Sequence, residues 1–170
     1  MGAFATSYIP TLASTATRNA DSASITTLTP WFNAAAGTIF AQVYIGAKSP
    51  NSYGVYAFDD GTTNNAFPSF YTGSVLQNSR VAAANVFTST SAVISATPAV
   101  FKEALAYANA DYAASFNGGT PTTQLSGAIP SGINRVQIGA YSGVQMNGHF
   151  QSLRYYPTRL PNASLQSITA

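Results

Sequence analysis

The sequence predicts an all-β domain, a two-sheet antiparallel sandwich of the jelly-roll type that is closed by a short C-terminal helix. Short apolar and aromatic segments recur every ~8–12 residues between Gly, Pro, Asn and Asp, and roughly ten to twelve strands fit the chain. No long amphipathic helical pattern and no internal repeat interrupts them. The 170 residues are 46% hydrophobic and 12% aromatic, so one domain can bury a full core.

Strands in the first part of the chain are predicted from the alternation of apolar and polar side chains. Ile39, Ala41, Val43 and Ile45, for example, fall on one face of a strand. The predicted strands are Ser24–Leu28, Thr38–Ile45, Tyr53–Phe58 and Phe67–Val75, with weaker signals at Ser79–Ala83 and Ala92–Ser95. Pro30 stops the first of them, because proline cannot donate a hydrogen bond to a sheet.

A strand and a turn open the C-terminal part. The segment FKEALAY has the apolar content of a buried strand, and Tyr112, Ala114 and Phe116 then recur at period two. Asn117-Gly118 follows, and this pair is the strongest short signal for a hairpin turn, because a type I′ turn needs positive φ at both central residues.

The last predicted elements are the strands Arg135–Ile138 and Phe150–Tyr156 and a short helix that opens near Asn162, which is a good N-cap residue. In the first of these strands Val136 and Ile138 share one face, so the two polar residues point to the other. Pro157 ends the second strand. Leu165 and Ile168, three residues apart, form the apolar side of the helix.

Two motifs carry a resemblance to a known family. The order NGG, RVQIG and NGHF, followed by LRYYPTRLPNASLQSI, resembles the closing half of the concanavalin A-like (laminin-G-like) jelly-roll family. The opening TSYIPT and TRNADSASI resemble a pattern found where such a jelly roll follows another module in phage tail-fibre and spike proteins. The resemblance implies a carbohydrate-binding or receptor-recognition domain that binds host surface glycans, on a virion and therefore extracellular.

Domain organisation follows from the same observations. Residues 1–23 are predicted to be a Ser/Thr/Ala-rich leader that packs on the domain, and residues 24–170 are predicted to be the jelly roll. Arg18 and Asp21 are the charged residues of the leader, and we expect them to pair and hold it against the sandwich. Met1-Gly2 lacks the layout of a signal peptide and is interpreted as a start added to a fragment.

Composition excludes several classes of function. Charged residues are 7% of the chain, compared with roughly 25% in average soluble domains, so Ser, Thr, Asn, Gln and Ala must coat the surface. The net charge of +2 is too small and scattered to predict nucleic-acid binding. The chain contains no run of ~18 apolar residues, so no membrane span is predicted. The absence of cysteine excludes disulfides and thiolate metal sites.

The sequence does not predict an enzyme. Glucanases with this fold carry carboxylates close together on one strand, because hydrolysis needs a pair of them. The one glutamate, Glu103, has no aspartate near it in sequence and is expected to point to solvent beside Lys102. His149 is the one histidine and is expected to be a polar residue at a sheet edge. No G-x-S-x-G motif supplies a nucleophile.

The cluster Asp59–Asn65 has two interpretations. Its carboxylates and amide oxygens could hold Ca²⁺, which takes six to eight oxygen ligands. Asp-Gly and Asn-Asn are also turn formers, and the spacing does not match a calcium loop of the EF-hand type. The turn is favoured, and no metal or other cofactor is predicted.

Trp31, the one tryptophan, also has two interpretations. It can close one end of the core, because a tryptophan buries a large area where it packs. Alternatively, its ring can stack on the C–H face of a sugar. The first is favoured.

Two hypotheses about function remain. In the first, loops and one sheet face bind a glycan; the candidate residues are Tyr53, Tyr56, Asp60, Asn64, Asn65, Tyr71, Tyr141 and Gln145. Ring stacking and amide hydrogen bonds would give weak affinity at each site, which copies on an oligomeric fibre would amplify. In the second, the chain is a structural virion module, such as a capsid decoration, a spacer or a trimerising domain, whose partners are other virion proteins or copies of itself.

Overall fold

The structure is a computed structural model that describes residues 23–46, 52–72, 75–83, 85–91 and 98–170. The elements in chain order are β1 (Ala23–Ile25), β2 (Ala36–Ile45), β3 (Tyr53–Asp59), β4 (Asn65–Thr72), β5 (Val75–Ala82), β6 (Asn85–Thr90), β7 (Ala99–Ala108), β8 (Asp111–Phe116), β9 (Thr122–Gln124), β10 (Arg135–Ile138), β11 (Ala140–Tyr141), β12 (Val144–Gln145), β13 (Gly148–Tyr156) and α1 (Asn162–Thr169). Within these ranges no helix combines the length and the apolar character that crossing a membrane requires.

The strands form two large sheets. The six-stranded sheet has the order β1-β10-β3-β4-β5-β6, and the five-stranded sheet has the order β13-β2-β7-β8-β9. β11 and β12 form a separate small hairpin. Neighbouring strands are antiparallel throughout. The predicted two-sheet antiparallel sandwich is confirmed.

Apolar side chains from both sheets fill the space between them. Ile39, Ala41 and Val43 of β2 are fully buried there, as their alternation predicts. From the opposite sheet Phe67 of β4 stacks on Tyr107 of β7, with 4.2 Å between ring centroids. Stacked aromatic pairs of this kind add stability beyond the area they bury.

The prediction that Glu103 points to solvent is wrong. Its side chain is fully buried between the sheets, on the same face of β7 as Leu105 and Tyr107. Ser69 Oγ donates a hydrogen bond to Oε1 at 2.7 Å, and Asn78 Nδ2 donates one to Oε2 at 3.2 Å. Burial raises the pKa of Glu103 to about 8, against the opposing effect of these two donors.

The C-terminal helix packs on the outer face of the five-stranded sheet. Leu165 is fully buried against Phe40 and three alanines of β7 and β8, whose small side chains let the helix approach closely. The predicted N-cap is wrong by one position, because Pro161 occupies the cap and Asn162 is the first helical residue. At the other end Thr169 Oγ1 lies 3.0 Å from Ser115 Oγ of β8.

Strand boundaries differ from the prediction in the middle of the chain. Phe67–Val75 is not one strand: β4 ends at Thr72, and Val75 pairs back with Thr72 as the start of β5. β6 lies upstream of the predicted strand Ala92–Ser95, which falls outside the described residues. Ser, Ala and Thr dominate this stretch, and their weak alternation does not fix where a strand begins.

Two other predictions concern the first residues of the chain. The leader, apart from Ala23, and its Arg18–Asp21 pair lie outside the described residues. The first strand is shorter than predicted, because β1 ends at Ile25 and Leu28 then enters the core.

The Asn117-Gly118 turn has the predicted backbone. Asn117 has φ of 45° and Gly118 has φ of 72°. The chain does not return at once as a two-residue hairpin, since β9 begins only at Thr122. Instead Asn117 extends the pairing of β8 with β7, where Lys102 N donates to Asn117 Oδ1 at 2.8 Å.

Candidate functional site

A pocket of about 250 Å³ lies on the outer face of the six-stranded sheet. Its floor is formed by Arg135 and Gln137 of β10, the polar pair that the sequence places opposite the core. One wall is the β3–β4 turn at residues 61–63, and the other is the β11–β12 turn at residues 141–143. The pocket is therefore built where two turns approach one pair of strands.

Asp59 fixes the two floor residues by accepting hydrogen bonds from both. Its side chain is fully buried, and its Oδ1 accepts from Arg135 Nε at 2.5 Å and from Gly61 N at 2.8 Å. Its Oδ2 accepts from Gln137 Nε2 at 2.5 Å. Asp59 is the register partner of Arg135 on the adjacent strand, so both side chains leave the sheet on the same face. This arrangement fixes the two floor residues.

Arg135 keeps hydrogen-bonding capacity toward the pocket. Its Nε is bonded to Asp59, and its terminal nitrogens Nη1 and Nη2 make no hydrogen bond to the described residues. The side chain is 36% exposed. A guanidinium carries five N–H donors, so four remain for a ligand.

The β3–β4 wall is a turn that side-chain hydrogen bonds close. Asp60 Oδ1 accepts from Thr62 N at 2.9 Å and from Thr62 Oγ1 at 2.6 Å, and Asp60 Oδ2 accepts from Asn65 Nδ2 at 3.0 Å. The hydrogen bond from the Thr62 hydroxyl is the main reason why the pKa of Asp60 is lowered. Asn64 N donates to Thr62 Oγ1 at 3.1 Å. The described residues contain no group of three or more His, Cys, Asp or Glu placed to share a metal ion.

The opposite wall is the β11–β12 hairpin. Ser142 and Gly143 turn the chain with φ of 51° and 79°, the positive values that a type I′ turn needs. Tyr141 stacks on Phe70 of β4, with 6.1 Å between ring centroids. The hairpin lies directly on Gly54 of β3, because a Cβ placed there would stand 2.0 Å from Tyr141 N. A side chain at this position would displace the wall.

We expect Gly54→Ala to destabilise the domain by about 1–3 kcal/mol, the usual range for overpacking. The added methyl would overlap the backbone of Tyr141 and push the hairpin off β3. Gly46→Ala is the matched control, because its Cβ would make an ordinary 3.6 Å contact with the ring of Tyr44. Urea unfolding of both variants measures the difference, and equal stabilities would contradict the close packing described here.

Half of the predicted ligand residues gather around this pocket. Tyr141 lines it, and Asp60, Asn64 and Asn65 belong to the turn that forms its wall. The turn interpretation of this cluster agrees with these hydrogen bonds. In the sequence the four residues belong to two separate loops, and the structure places the loops at one site.

The prediction that the three tyrosines of β3 and β4 bind a ligand is wrong. Tyr56 and Tyr71 are fully buried and Tyr53 is 4% exposed, so their rings are part of the core and cannot cover a ligand at the surface. Tyr53 stacks on Tyr71 with 4.9 Å between centroids. Tyr56 Oη donates to Asn78 Oδ1 at 3.0 Å. Their aromatic character serves packing.

Gln145 lies apart from the pocket. It is exposed on β12, beside a separate hollow of about 190 Å³ that is also lined by Met146 and His149. His149 stacks on Tyr44 with 4.7 Å between ring centroids. Because β13 is the edge of its sheet and His149 is exposed, the predicted edge position is confirmed.

Trp31 serves as a lid on the core. It is half-buried and packs edge-on against Phe58 and Tyr155, with centroid distances of 6.4 and 5.4 Å. It lines an apolar slot of about 100 Å³ together with Phe58 and Tyr155. The favoured interpretation of Trp31 as a closing residue is supported.

Sequence reasoning missed Arg135, Gln137 and Thr62. The alternation in RVQI showed that its polar pair leaves the core, which is a usable signal. It did not show that β10 inserts between β1 and β3, next to Asp59. That neighbour is 76 residues away in sequence.

Each of the four described carboxylates is held by hydrogen-bonding partners. Asp59 is engaged by Arg135, and Asp111 is paired with Arg159 at 2.8 Å. A glycosidase needs a carboxylic acid with a raised pKa in a cleft. The pKa of Asp60 is lowered, and Glu103, whose pKa is raised, is enclosed in the core.

No family model and no curated protein matches the chain. Solved structures do. The module CBM40 of the Ruminococcus gnavus IT-sialidase, bound to α2,3-sialyllactose, matches with a TM-score of 0.64 and 16% identity over 81% of this chain and 84% of that chain. A SAP-like pentraxin from Limulus polyphemus gives 0.60 and 12% over 79% and 70%. Domains LG4-5 of the mouse laminin α1 chain give 0.64 and 7% over 83% and 40%.

These three structures share the fold of the chain, at identities that establish the fold alone. The resemblance found in the C-terminal motifs is thereby confirmed at the level of architecture. The chain has the concanavalin A-like (laminin-G-like) jelly-roll fold.

Proposed function

We propose that this domain binds carbohydrate, without catalysing a reaction, through the pocket over Arg135 and Gln137. The observation that carries the proposal is the floor fixed by Asp59, which holds two polar side chains in one geometry under two turn walls. Sugar hydroxyls are recognised by such preset donors and acceptors.

The pocket offers what a sugar ring needs. Arg135 presents unused N–H donors, and the walls add the hydroxyl groups of Thr62, Thr63, Tyr141 and Ser142. An arrangement held before binding loses little conformational entropy when the ligand arrives. A shallow, open pocket of this size still gives modest affinity, which several copies on one particle would raise.

Structural similarity supports the same class of ligand. One protein with this fold is a carbohydrate-binding module solved with a sialylated sugar. The opening pattern TSYIPT supports a place on a phage tail fibre or spike, with residues 1–23 as the leader and residues 24–170 as the binding domain. The partner we propose is accordingly a glycan of the host cell surface, bound outside the cell by a virion.

Arg135→Gln and Gln137→Ala are expected to weaken glycan binding by at least roughly tenfold, because each removes a floor donor worth about 1.4 kcal/mol or more. Arg154→Gln is the matched control, since Arg154 is exposed on the outer face of the other sheet, 5.8 Å from the ring of Phe40.

The measurement is a binding screen of the purified domain against host envelope polysaccharides, followed by titration of each variant. Thermal melting of the variants separates loss of binding from loss of folding. If the wild type binds no glycan, or if Arg135→Gln binds as the wild type does, the proposal fails. The structural virion module would then be the better account.

A further inference from the structure

Arg135 is the one charged side chain in the described lining of the pocket, whose other lining residues are neutral. Its partner Asp59 is fully buried and lies outside that lining. The lining therefore presents a positive group to a ligand. From this we infer that the pocket binds acidic sugars in preference to neutral ones, with the sugar carboxylate on Arg135, an inference that rests on the proposed function.

The contact with Asp59 uses only one side of the guanidinium. Asp59 Oδ1 accepts from Arg135 Nε at 2.5 Å, whereas Asp59 Oδ2 accepts from Gln137 Nε2. The edge formed by Nη1 and Nη2 makes no hydrogen bond to the described residues. Two parallel N–H donors on such an edge match the two oxygens of a carboxylate, and charge-assisted bonds of this kind are about twice as strong as neutral ones. A neutral sugar would offer hydroxyl oxygens to the same edge, without the charge.

Asp59 also fixes the guanidinium before a ligand arrives. Its carboxylate accepts a further hydrogen bond from Gly61 N at 2.8 Å, so it ties Arg135 to the β3–β4 turn as well as to β3. A planar group that is already held loses less conformational entropy when it forms its next hydrogen bonds. The Asp59 side chain is fully enclosed, whereas that of Arg135 is 36% exposed. The cation is therefore the member of this ion pair that a ligand can touch.

Two kinds of sugar carry a carboxylate, so the test uses two matched pairs of oligosaccharides. One pair contains a hexuronic acid or the hexose obtained by reducing its carboxyl group, and the other contains a sialic acid or its carboxyl-reduced form. Titrated against the purified protein at low salt, the acidic member of at least one pair is expected to bind roughly tenfold more tightly. The preference should shrink at high salt, because dissolved ions screen the attraction. The pair with the larger preference identifies the source of the carboxylate.

Arg135→Lys tests the contact through two hydrogen bonds. Lysine keeps the positive charge but presents a compact ammonium group instead of a planar fork, so we expect the preference to fall below roughly threefold. Arg154→Lys is the matched control, because Arg154 is exposed on the outer face of the other sheet, and it should keep the full preference. Thermal melting checks that both variants fold.

The outcomes separate this inference from the proposed function. Equal binding within both pairs, or tighter binding of the neutral members, overturns the acid preference and leaves carbohydrate binding intact. Binding of none of the four oligosaccharides, when the screen of host polysaccharides does yield a ligand, also overturns the acid preference alone. The absence of any ligand in both experiments overturns carbohydrate binding and the preference with it. A preference that Arg135→Lys retains in full overturns the contact through two hydrogen bonds.

Discussion

The free energy of unfolding is expected to fall by about 4 kcal/mol between pH 5 and pH 9, and Glu103→Gln is expected to remove most of that fall. Glu103 is fully buried between the sheets, and burial raises its pKa from the ordinary 4.5 to about 8. The folded state therefore holds a proton that the unfolded state releases. This stabilisation is complete below the unfolded pKa and is lost as the pH rises through the folded pKa.

A neutral glutamine side chain in place of Glu103 would fit the same network. Its oxygen can accept from Asn78 Nδ2, and its amide can donate to the hydroxyl of Ser69, which now donates to Glu103 at 2.7 Å. The variant should match the wild type near pH 5 and exceed its stability near pH 9. Glu103→Ala, by contrast, should be destabilised at every pH, since it leaves a cavity and two unpaired buried groups.

Urea unfolding at a series of pH values measures this effect. His149→Gln is the appropriate background, because it removes the one histidine of the sequence from the titration. The buried cation Arg80 lies 4.4 Å from the centroid of the Tyr112 ring and donates a hydrogen bond to Gln124 Oε1. A wild-type stability that stays constant from pH 5 to pH 9 would show that Glu103 is not held protonated.

Asp59→Ala is expected to destabilise the domain by about 3 kcal/mol and to abolish glycan binding. Three donors lose their acceptor: Arg135 Nε, Gly61 N and Gln137 Nε2. The floor of the pocket then loses the group that orients it, and the β3–β4 turn loses its anchor.

Asp111→Ala is the matched control for Asp59. It also removes an aspartate from an ion pair, but the Asp111 side chain is 40% exposed and that of its partner Arg159 is 15% exposed, so solvent reaches both. Exposed pairs contribute about 0–1 kcal/mol, so this variant should fold and bind nearly as the wild type does. Chemical unfolding and glycan titration of both variants make the comparison. Similar losses in the two would mean that Asp59 has no special part in the site.

The fold could be predicted from the sequence where alternation is strict. In β2 the residues that fill the space between the sheets, Ile39, Ala41, Val43 and Ile45, alternate along the strand, and Val136 and Ile138 do so in β10.

In β7 both faces of the strand are apolar, so alternation does not show which face is buried. Glu103 was assigned to the solvent side because it is charged. Its neighbours on the same face, Phe101 and Leu105, are core residues. A charged side chain is usually exposed, but Ser69 and Asn78 of the other sheet hydrogen-bond Glu103 and allow it to be buried.

The site could be predicted only in pieces. Turn chemistry identified Asp60 and its neighbours correctly as a loop, because side-chain to backbone hydrogen bonds are local. The buried Tyr56 and Tyr71 were misassigned, since aromatic residues serve a core and a sugar site equally well in sequence. The pairing of Asp59 with Arg135 depends on strand order, which no short motif encodes.

The floor of the pocket belongs to β3 and β10, whereas both walls are short reversals of the chain. Residues 61–63 and 142–143 are exposed and outside the core, so mutations there alter the rim without disturbing the frame. Substitutions confined to these few positions would change which ligand the pocket accepts while the sandwich stays the same.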